Sequence, residues 1–259
     1  MRRPLVAFGA GAAVLMAVLM AAPLVTHAGA GFDQAAWDGL LKRYVDTDGR
    51  VAYSDLAARD QKTLDAYLTR VASAEVGDVV TKDAQAFWIN AYNAGIVSAV
   101  LQGYTAENIL RRRSIFRSFT FVVAGTSRTL DAIEHEILRP RFKDPRTHFA
   151  LVCASSSCPK LRREAYTGAN LDTALDEEAR RFVNDPTRNA IDTRSPKLAL
   201  SAIFEWFAAD FVADAGSVRA FVARHLRDEA GRTVVRDPET PITYLDYDWT
   251  LNAQPGKRP

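Results

Sequence analysis

The segment from Lys82 to Gly103 constrains the fold most, because it predicts a helix that is apolar on every side. A surface helix carries one apolar stripe, whereas a helix that is apolar all round is buried. Asn90 and Asn93 lie inside this segment and need hydrogen-bond partners, since unpaired polar groups are costly in an apolar interior. The apolar positions are Phe87, Trp88, Ile89, Ala91, Tyr92, Ala94, Ile96, Val97, Ala99, Val100 and Leu101. We therefore expect the rest of the chain to pack around this helix.

The other segments mix helical and strand-like patterns in an order that is not that of regular βαβ units. Apolar residues at helical spacing predict helices at 37–44, 64–71, 105–113, 131–138, 171–183, 203–211 and 218–226. Strands are predicted at 119–123, 128–130, 147–153, 189–192, 198–200 and 242–251. The predicted fold is a single α+β globular domain, helix-rich, with a small mixed or antiparallel sheet around the buried central helix.

The N-terminal residues predict an export signal. Arg2 and Arg3 precede an uncharged run from Pro4 to Val25, and Ala28-Gly29-Ala30 fits a small-residue cleavage site. We interpret 1–30 as a cleavable signal peptide and 31–259 as one domain, periplasmic or secreted. An uncleaved membrane anchor is the alternative, because the run is long enough to span a bilayer. No later apolar run is that long, so no transmembrane segment is expected after cleavage.

Removal of the signal changes the charge balance. The chain has 33 Lys and Arg against 31 Asp and Glu, and losing Arg2 and Arg3 leaves 31 of each sign. The net charge then gives no reason to expect nucleic acid as a partner. No phosphate-binding glycine loop, dinucleotide fingerprint, G-x-S-x-G or H-E-x-x-H motif is present, so no cofactor and no metal are predicted.

The two cysteines of the chain lie in one short segment, Cys153-Ala154-Ser155-Ser156-Ser157-Cys158-Pro159. A structural disulfide is the preferred interpretation, because an exported protein meets an oxidising compartment. A catalytic thiolate assisted by a histidine is the second. A redox-active pair and a metal site with His135 or His148 are the remaining two, and neither has the usual spacing.

His135 is the histidine that best fits an acid–base role. Asp131, His135 and Arg139 lie four residues apart, on a helix face separate from the apolar stripe, so Asp131 could orient the imidazole. A solvated ladder of charges is the alternative. In the predicted strand 147–153, His148 and Cys153 point to opposite faces, which argues against direct pairing.

Several separated motifs resemble the family known as domain of unknown function 547 (DUF547). They are Ala86-Phe87-Trp88-Ile89-Asn90-Ala91-Tyr92-Asn93-Ala94, Ser114-Ile115, residues 130–139, residues 146–159, residues 200–206 and Tyr247-Asp248-Trp249-Thr250-Leu251-Asn252. The resemblance spans nearly all of residues 31–259. It marks the following as motif positions without assigning roles to them: Asn90, Asn93, Glu134, His135, Arg139, Arg146, His148, Cys153 and Cys158.

Two functions follow as hypotheses. The first is a thiol-dependent hydrolase or acyl transferase: Cys153 or Cys158 is the nucleophile, His135 the base, Asp131 or Asn90 the orienting group, and the amides of 154–157 the oxyanion donors. The second is a non-catalytic envelope binding module in which a Cys153–Cys158 disulfide is structural. In either case the partner is an unidentified small molecule, peptide or envelope component. Further binding residues are predicted to be Asn93, Arg139, Arg146, His148 and Ser155.

Overall fold

The computed structural model describes residues 31–104 and 115–259, and its helices and strands confirm the α+β class. The α-helices are α1 (Ala35–Tyr44), α2 (Tyr53–Ala72), α3 (Lys82–Leu101), α4 (Leu130–Ala132), α5 (Leu171–Val183), α6 (Ile203–Trp206), α7 (Ala208–Ala215), α8 (Val218–His225) and α9 (Glu229–Arg236). A π-helix (Ile133–Phe142) continues α4, and a 3-10 helix (Pro145–Phe149) follows it. The strands are β1 (Thr120–Val123), β2 (Thr126–Thr129), β3 (Ala190–Asp192), β4 (Lys197–Ser201) and β5 (Ile242–Leu245).

Helix α3 is the buried helix that the sequence predicts. Every residue from Ala84 to Val100 is buried. The helix begins after Thr81, whose side chain accepts a hydrogen bond from the backbone N–H of Ala84 and so satisfies one free amide of the first turn. Helix α2 and the π-helix pack against α3. The centre of the molecule is therefore where the apolar pattern places it.

The interior contains two hydrophobic clusters. The first surrounds α3 and includes α1, α2 and the β1–β2 hairpin. The second is built on stacked and tilted phenylalanine rings, namely Phe149, Phe182, Phe204, Phe211 and Phe221. The three-stranded sheet packs on this second cluster through Leu198 and Leu200 rather than around α3. In it β3 and β4 are antiparallel, whereas β4 and β5 are parallel.

The predicted strand at 147–153 is wrong. Its first part is the 3-10 helix, which begins after Asp144, and the rest is irregular backbone. The apolar run is shared between the clusters: Phe149 is buried in the second and Val152 in the first. A side chain replaces the missing strand neighbour, because Asn93 donates to the carbonyl of Ala150 and accepts from the N–H of Val152.

The predicted helix at 131–138 does not stop before Pro140. It continues as the π-helix, with Pro140 inside it, and ends at Phe142, directly before Lys143, whose φ is +53°. Proline lacks an N–H and its ring crowds the carbonyl four residues earlier, so the wider π turn accommodates it where an α turn would be strained. π-helical turns are frequent at functional sites, and this one carries Glu134, His135 and Arg139.

Smaller differences concern the C-terminal third. The predicted helix 203–211 is divided at Phe207 into α6 and α7, and the strand predicted at 242–251 ends at Leu245. Helix α9 has no counterpart among the predicted elements. The predicted signal peptide at 1–30 and the helix predicted at 105–113 lie outside the described residues. Within the described residues, no helix is long and apolar enough to cross a membrane.

Candidate active site

A cavity of about 540 Å³ lies where the two clusters meet. The first cluster contributes Tyr92, Leu151 and Val152 to its wall, and the second contributes Ile203 and Phe207. The polar and sulfur-bearing side chains that line it are Arg117, Asp131, Glu134, His135, His148, Cys153, Cys158 and Tyr247. Five of the predicted site residues are thus brought to one cavity: Asp131, His135, His148, Cys153 and Cys158.

Cys153 lies between the irregular segment that follows the 3-10 helix and the loop Ala154-Ser155-Ser156-Ser157, which we call the serine loop. Its sulfur is 3.1 Å from the hydroxyl oxygen of Ser155 and 3.3 Å from that of Tyr247. The next residue, Ala154, has a φ of +57°, in the left-handed region that costs energy for a residue with a Cβ. This turn directs the Cys153 sulfur toward the cavity.

The disulfide expected between Cys153 and Cys158 is not formed. The sulfur of Cys158 is directed at the backbone of Cys153 and accepts a hydrogen bond from its N–H, with an N–S distance of 2.7 Å. The sulfur of Cys153 is directed at Ser155 and Tyr247 instead. The short loop therefore brings Cys158 to the backbone of Cys153 and leaves two thiols at the cavity.

The buried side chains of Asn90 and Asn93 form hydrogen bonds with backbone groups. Asn93 holds Ala150 and Val152, directly before Cys153. Asn90 donates to the carbonyl of Tyr166 and accepts from the N–H of the same residue. The carboxamide of Asn90 is therefore committed to Tyr166 and does not orient His135, as the sequence analysis proposed.

Replacement of Asn93 by alanine is expected to lower the free energy of unfolding by about 3 kcal/mol, because it leaves a buried N–H and a buried carbonyl without partners. Equilibrium urea unfolding measures this change. Ser98→Ala is the matched control, since Ser98 lies on the same helix and, among the described residues, its hydroxyl accepts from the side chain of Gln102 and binds no backbone group of another segment. Equal losses for the two variants would show that Asn93 does not hold the segment before Cys153.

His148 is the more enclosed of the two histidines at the cavity, with a side chain 3% exposed. Its Nε2 is 2.8 Å from Oδ2 of Asp210, and its Nδ1 is 3.7 Å from Oε1 of Glu134. The ring stacks on Phe207 with centroids 3.9 Å apart. Burial lowers the pKa of His148, although the hydrogen bond to Asp210 acts in the opposite direction. The imidazole is therefore neutral at neutral pH, between two carboxyl groups.

Asp210 is fixed from two sides. Arg139 donates to both of its oxygens, with distances of 2.7 and 3.1 Å, in the bidentate arrangement that guanidinium favours. The hydrogen bonds from His148 and Arg139 hold the pKa of Asp210 well below its usual value, and burial opposes them. Asp210 is thus an anion that orients His148, and Arg139 positions Asp210.

Glu134 is the most perturbed acid of the cavity, and its side chain is 13% exposed. Burial raises its pKa from 4.5 to about 7; Arg139 opposes this, while Asp131 and Cys153 add to it. The hydroxyl of Tyr92, on α3, belongs to the same environment, since burial and Glu134 hold its pKa well above the usual value. A carboxyl group with a pKa near 7 can accept and return a proton at neutral pH.

His135 lies at the rim, and its side chain is partly exposed. Its Nδ1 is 2.7 Å from the guanidinium of Arg139, and its Nε2 is 3.7 Å from Oδ1 of Asp131. Burial lowers the pKa of His135, and Asp131 opposes this. The predicted ladder of Asp131, His135 and Arg139 is present, but its arginine also reaches inward to Asp210. Arg146 lies elsewhere and pairs with Asp144 and Asp176.

Most backbone amides of the serine loop are already used. The N–H of Ser156 donates to the carbonyl of Thr250 and that of Ser157 to the carbonyl of Asp248, at 2.8 and 3.1 Å. The N–H of Cys158 donates to the carbonyl of Ser155. The prediction that amides 154–157 bind an oxyanion is therefore wrong for Ser156 and Ser157.

Three aromatic rings form one side of the cavity, which we call the aromatic wall: Trp206, Tyr247 and Trp249. The rings of Trp206 and Trp249 are nearly parallel, with an interplanar angle of 11° and centroids 5.6 Å apart. The ring of Tyr247 contacts both, with centroid distances of 4.9 Å to Trp206 and 4.1 Å to Trp249. Trp206 is 48% exposed. The aromatic wall therefore extends from the solvent to the hydroxyl of Tyr247, which lies beside Cys153.

Sequence reasoning missed Asp210, Phe207 and Tyr247 as site residues, and it named Glu134 only as a motif position. Asp210 lies 62 residues beyond His148, in a helix whose apolar pattern suggests only packing. Tyr247 belongs to the motif Tyr247-Asp248-Trp249, and this motif is the sequence signal that could have identified it as a site residue. Within the described ranges, no group of three or more His, Cys, Asp or Glu side chains is arranged to hold a metal ion.

The fold and the site define an α+β domain whose cavity combines a cysteine thiol, a half-buried glutamic acid and a buried histidine. Residues 78–183 match the model of the family described as "Protein of unknown function, DUF547", which confirms the resemblance seen in the sequence. The matched segment includes Glu134, His148 and Cys153, whereas Asp210 and Tyr247 follow it. No curated protein and no solved structure matches the chain.

Proposed function

We propose that this chain is a thiol-dependent hydrolase or acyl transferase with Cys153 as its nucleophile. The observation that carries the proposal is that the Cys153 thiol and the Glu134 carboxyl line the same cavity and interact electrostatically. A nucleophilic thiol needs a neighbouring base to form the thiolate at neutral pH. The alternative of an envelope module with a structural disulfide loses support, because no Cys153–Cys158 bridge is present.

The first half of the reaction forms a thioester. The carboxylate of Glu134 accepts the proton of the Cys153 thiol, and the sulfur attacks the carbonyl carbon of the acyl donor. As the tetrahedral intermediate collapses, the bond to the leaving group breaks and protonated Glu134 returns its proton to that group. A pKa near 7 suits both steps, since the same residue acts first as base and then as acid.

The second half releases the acyl group. Water, or the hydroxyl or amine of an acceptor, attacks the thioester carbon while Glu134 accepts its proton. The carbon–sulfur bond then breaks, and the thiolate takes that proton back. Attack by water gives a carboxylic acid and makes the protein a hydrolase, whereas attack by an acceptor gives an ester or amide.

In this scheme His148 supports Glu134, and His135 is not the base. Asp210 binds Nε2 of His148, so the other nitrogen, Nδ1, faces Glu134 at 3.7 Å. A neutral histidine that donates through Nε2 has an Nδ1 lone pair available to a protonated carboxyl. His148 can thus bind and orient the protonated form of Glu134.

The direct test is to detect the acyl-enzyme. The full-length protein is mixed with p-nitrophenyl acetate, quenched with acid within seconds, and analysed by intact mass and peptide mapping. We expect a burst of p-nitrophenol and one added acetyl group on the peptide that contains Cys153. If no covalent adduct forms at neutral pH while Cys153 is a reduced thiol, the proposal is refuted.

The aromatic wall suggests that the acyl group carries an apolar ring or chain. We expect a preference for p-nitrophenyl phenylacetate over the acetate, and expect Trp206→Ala to reduce that preference about tenfold, as losing one apolar contact surface does. The ratio of kcat/KM for the two esters measures this. Tyr244→Ala is the control, because Tyr244 is an exposed aromatic residue on β5 outside the cavity. An unchanged ratio in the Trp206 variant would exclude the wall from acyl recognition.

We also propose that residues 1–30 direct export, so that the reaction takes place in the periplasm or outside the cell. The support is the order of Arg2 and Arg3, the uncharged run and Ala28-Gly29-Ala30. Fractionation of cells that make the full chain, with N-terminal sequencing of the product, tests this. A mature protein that begins near Gly31 outside the cytoplasm is expected, and an intact chain in the cytoplasm would contradict it.

A further inference from the structure

We propose that the hydroxyl of Tyr247 is the side-chain donor that stabilises the oxyanion formed when Cys153 attacks an acyl group. This inference rests on the proposed thiol chemistry and adds a catalytic residue to it. The hydroxyl oxygen lies 3.3 Å from the sulfur of Cys153. The carbonyl carbon becomes bonded to that sulfur, so its oxygen comes within reach of the same hydroxyl.

The need for a side-chain donor follows from the backbone around the nucleophile. The amide of Cys153 donates to the sulfur of Cys158, and those of Ser156 and Ser157 donate to carbonyls of the C-terminal segment. An oxyanion requires preorganised donors that are not used elsewhere. The amide of Cys158 donates to the carbonyl of Ser155, so from Cys153 to Cys158 only Ala154 and Ser155 have amides outside these hydrogen bonds. Tyr247 adds a preorganised side-chain donor to these two remaining amides, at 3.3 Å from the nucleophilic sulfur.

Tyr247 is suited to donate and not to ionise. Burial, with the neighbouring sulfurs of Cys153 and Cys158 adding to it, holds the pKa of Tyr247 well above its usual value. The hydroxyl therefore keeps its proton throughout the reaction. It forms a hydrogen bond to the developing negative charge and transfers nothing, so the proton balance between Cys153 and Glu134 is unchanged.

The position of Tyr247 is fixed before the substrate arrives. Its ring packs against those of Trp206 and Trp249, with centroids 4.9 and 4.1 Å away. The side chain of Ser155 also interacts with this hydroxyl and opposes the rise in the pKa of Tyr247. Since Ser155 lies 3.1 Å from the same sulfur, it is the competing donor, and the experiment must separate the two. We assign Ser155 the role of positioning Tyr247.

The test compares two reactions of the same sulfur. Acylation by p-nitrophenyl acetate passes through an oxyanion, whereas alkylation by iodoacetamide displaces iodide directly and forms none. We expect Tyr247→Phe to slow the acylation burst by about 100-fold or more, in the range for loss of one oxyanion donor. We expect the rate of alkylation to stay within about twofold at a pH where Cys153 is fully ionised, although the pH at which it ionises shifts because its hydrogen bond with Tyr247 is lost. We expect Ser155→Ala to slow acylation by less than Tyr247→Phe, and Tyr244→Phe to change neither reaction.

Each other outcome has a definite meaning. If Tyr247→Phe slows both reactions equally, the hydroxyl acts on the thiolate and the oxyanion role is refuted. If Ser155→Ala has the larger effect on acylation, the donor is Ser155. An unchanged alkylation rate also reports that the variant has kept its pocket, so a folding failure is recognised. If the wild-type protein alkylates but never acylates, the proposed function itself fails, which is a different result from these.

Discussion

Replacement of Cys153 by alanine is expected to abolish acyl-enzyme formation from an activated ester, because in the proposed reaction the sulfur of Cys153 forms the covalent bond. Loss of the nucleophile removes the whole chemical step. The second thiol at the cavity, that of Cys158, is directed at the backbone of Cys153 and is not expected to replace it. The burst of p-nitrophenol and the acetylated mass should both disappear. Cys153→Ser should fail almost as completely, since a serine hydroxyl needs a stronger base than Glu134.

Cys158 provides the matched control for this variant. Cys158→Ser retains an atom that can accept the hydrogen bond of the Cys153 amide, so acylation should continue at a reduced rate. Cys158→Ala leaves that amide without a partner and should lower the free energy of unfolding by about 2 kcal/mol. If Cys158→Ser abolishes acylation and Cys153→Ala does not, the roles of the two cysteines are reversed.

Replacement of Glu134 by glutamine is expected to slow acylation by about 100-fold or more, the range for loss of a general base. In the wild-type protein the rate should rise with pH through about 7, as Glu134 loses its proton. The glutamine variant should lose that inflection. Burst rates measured from pH 5 to 9 on both proteins test this. Glu136→Gln is the control, because Glu136 lies on the same π-helix and is exposed.

The same residue links stability to pH. Its pKa is raised on folding from 4.5 to about 7, so the folded state holds the proton more tightly than the unfolded state. The stability that this contributes is fully present below pH 4.5 and is lost as the pH rises to about 7, by about 3 kcal/mol in total. The difference in unfolding free energy between Glu134→Gln and the wild type should therefore shift by that amount between pH 4.5 and 8. A constant difference would mean that Glu134 titrates normally.

His148→Ala and His135→Ala separate the two histidines. If His148 supports Glu134, its removal should lower the acylation rate and move the pH inflection. His135→Ala should change the rate less, because His135 lies at the rim and contacts Asp131 and Arg139. A larger loss for His135→Ala would restore the role as base that the sequence alone assigned to it.

The central helix could be predicted because its signal is local and unambiguous. Seventeen consecutive residues of α3 are buried, from Ala84 to Val100, and a pattern without a polar face admits no other interpretation. The strands predicted at 119–123 and 128–130 are found as β1 and β2 for a similar reason, although the turn between them is shorter than the interval 124–127. Ala124 and Gly125 alone make it, with φ values of +48° and +74°, so Thr126 already belongs to β2. Two-residue turns of this kind suit antiparallel strands.

The site was harder to predict, because its geometry depends on contacts between distant segments. The run before Cys153 has the composition of a buried strand, but its hydrogen bonds go to Asn93 on α3, and no strand of the described residues pairs with it. The strand interpretation placed His148 on the wrong face and made His135 the preferred base. Asp210, which orients His148, carries no motif of its own. The thiols, both histidines and Asp131 were nevertheless found, since their residue types are rare or regularly spaced.

The position of the cavity between the two hydrophobic clusters has a consequence for how the site is assembled. The thiol and Glu134 belong to segments that pack on the first cluster, whereas Asp210 and Tyr247 belong to segments that pack on the second. A chain in which only the first cluster has formed holds a cysteine and a buried acid without the groups that orient and assist them. Residues 78–183 expressed alone would have the same deficiency. Incompletely folded chains would then not react with acyl donors. Reaction with an acyl donor would therefore show that both hydrophobic clusters have formed and packed together.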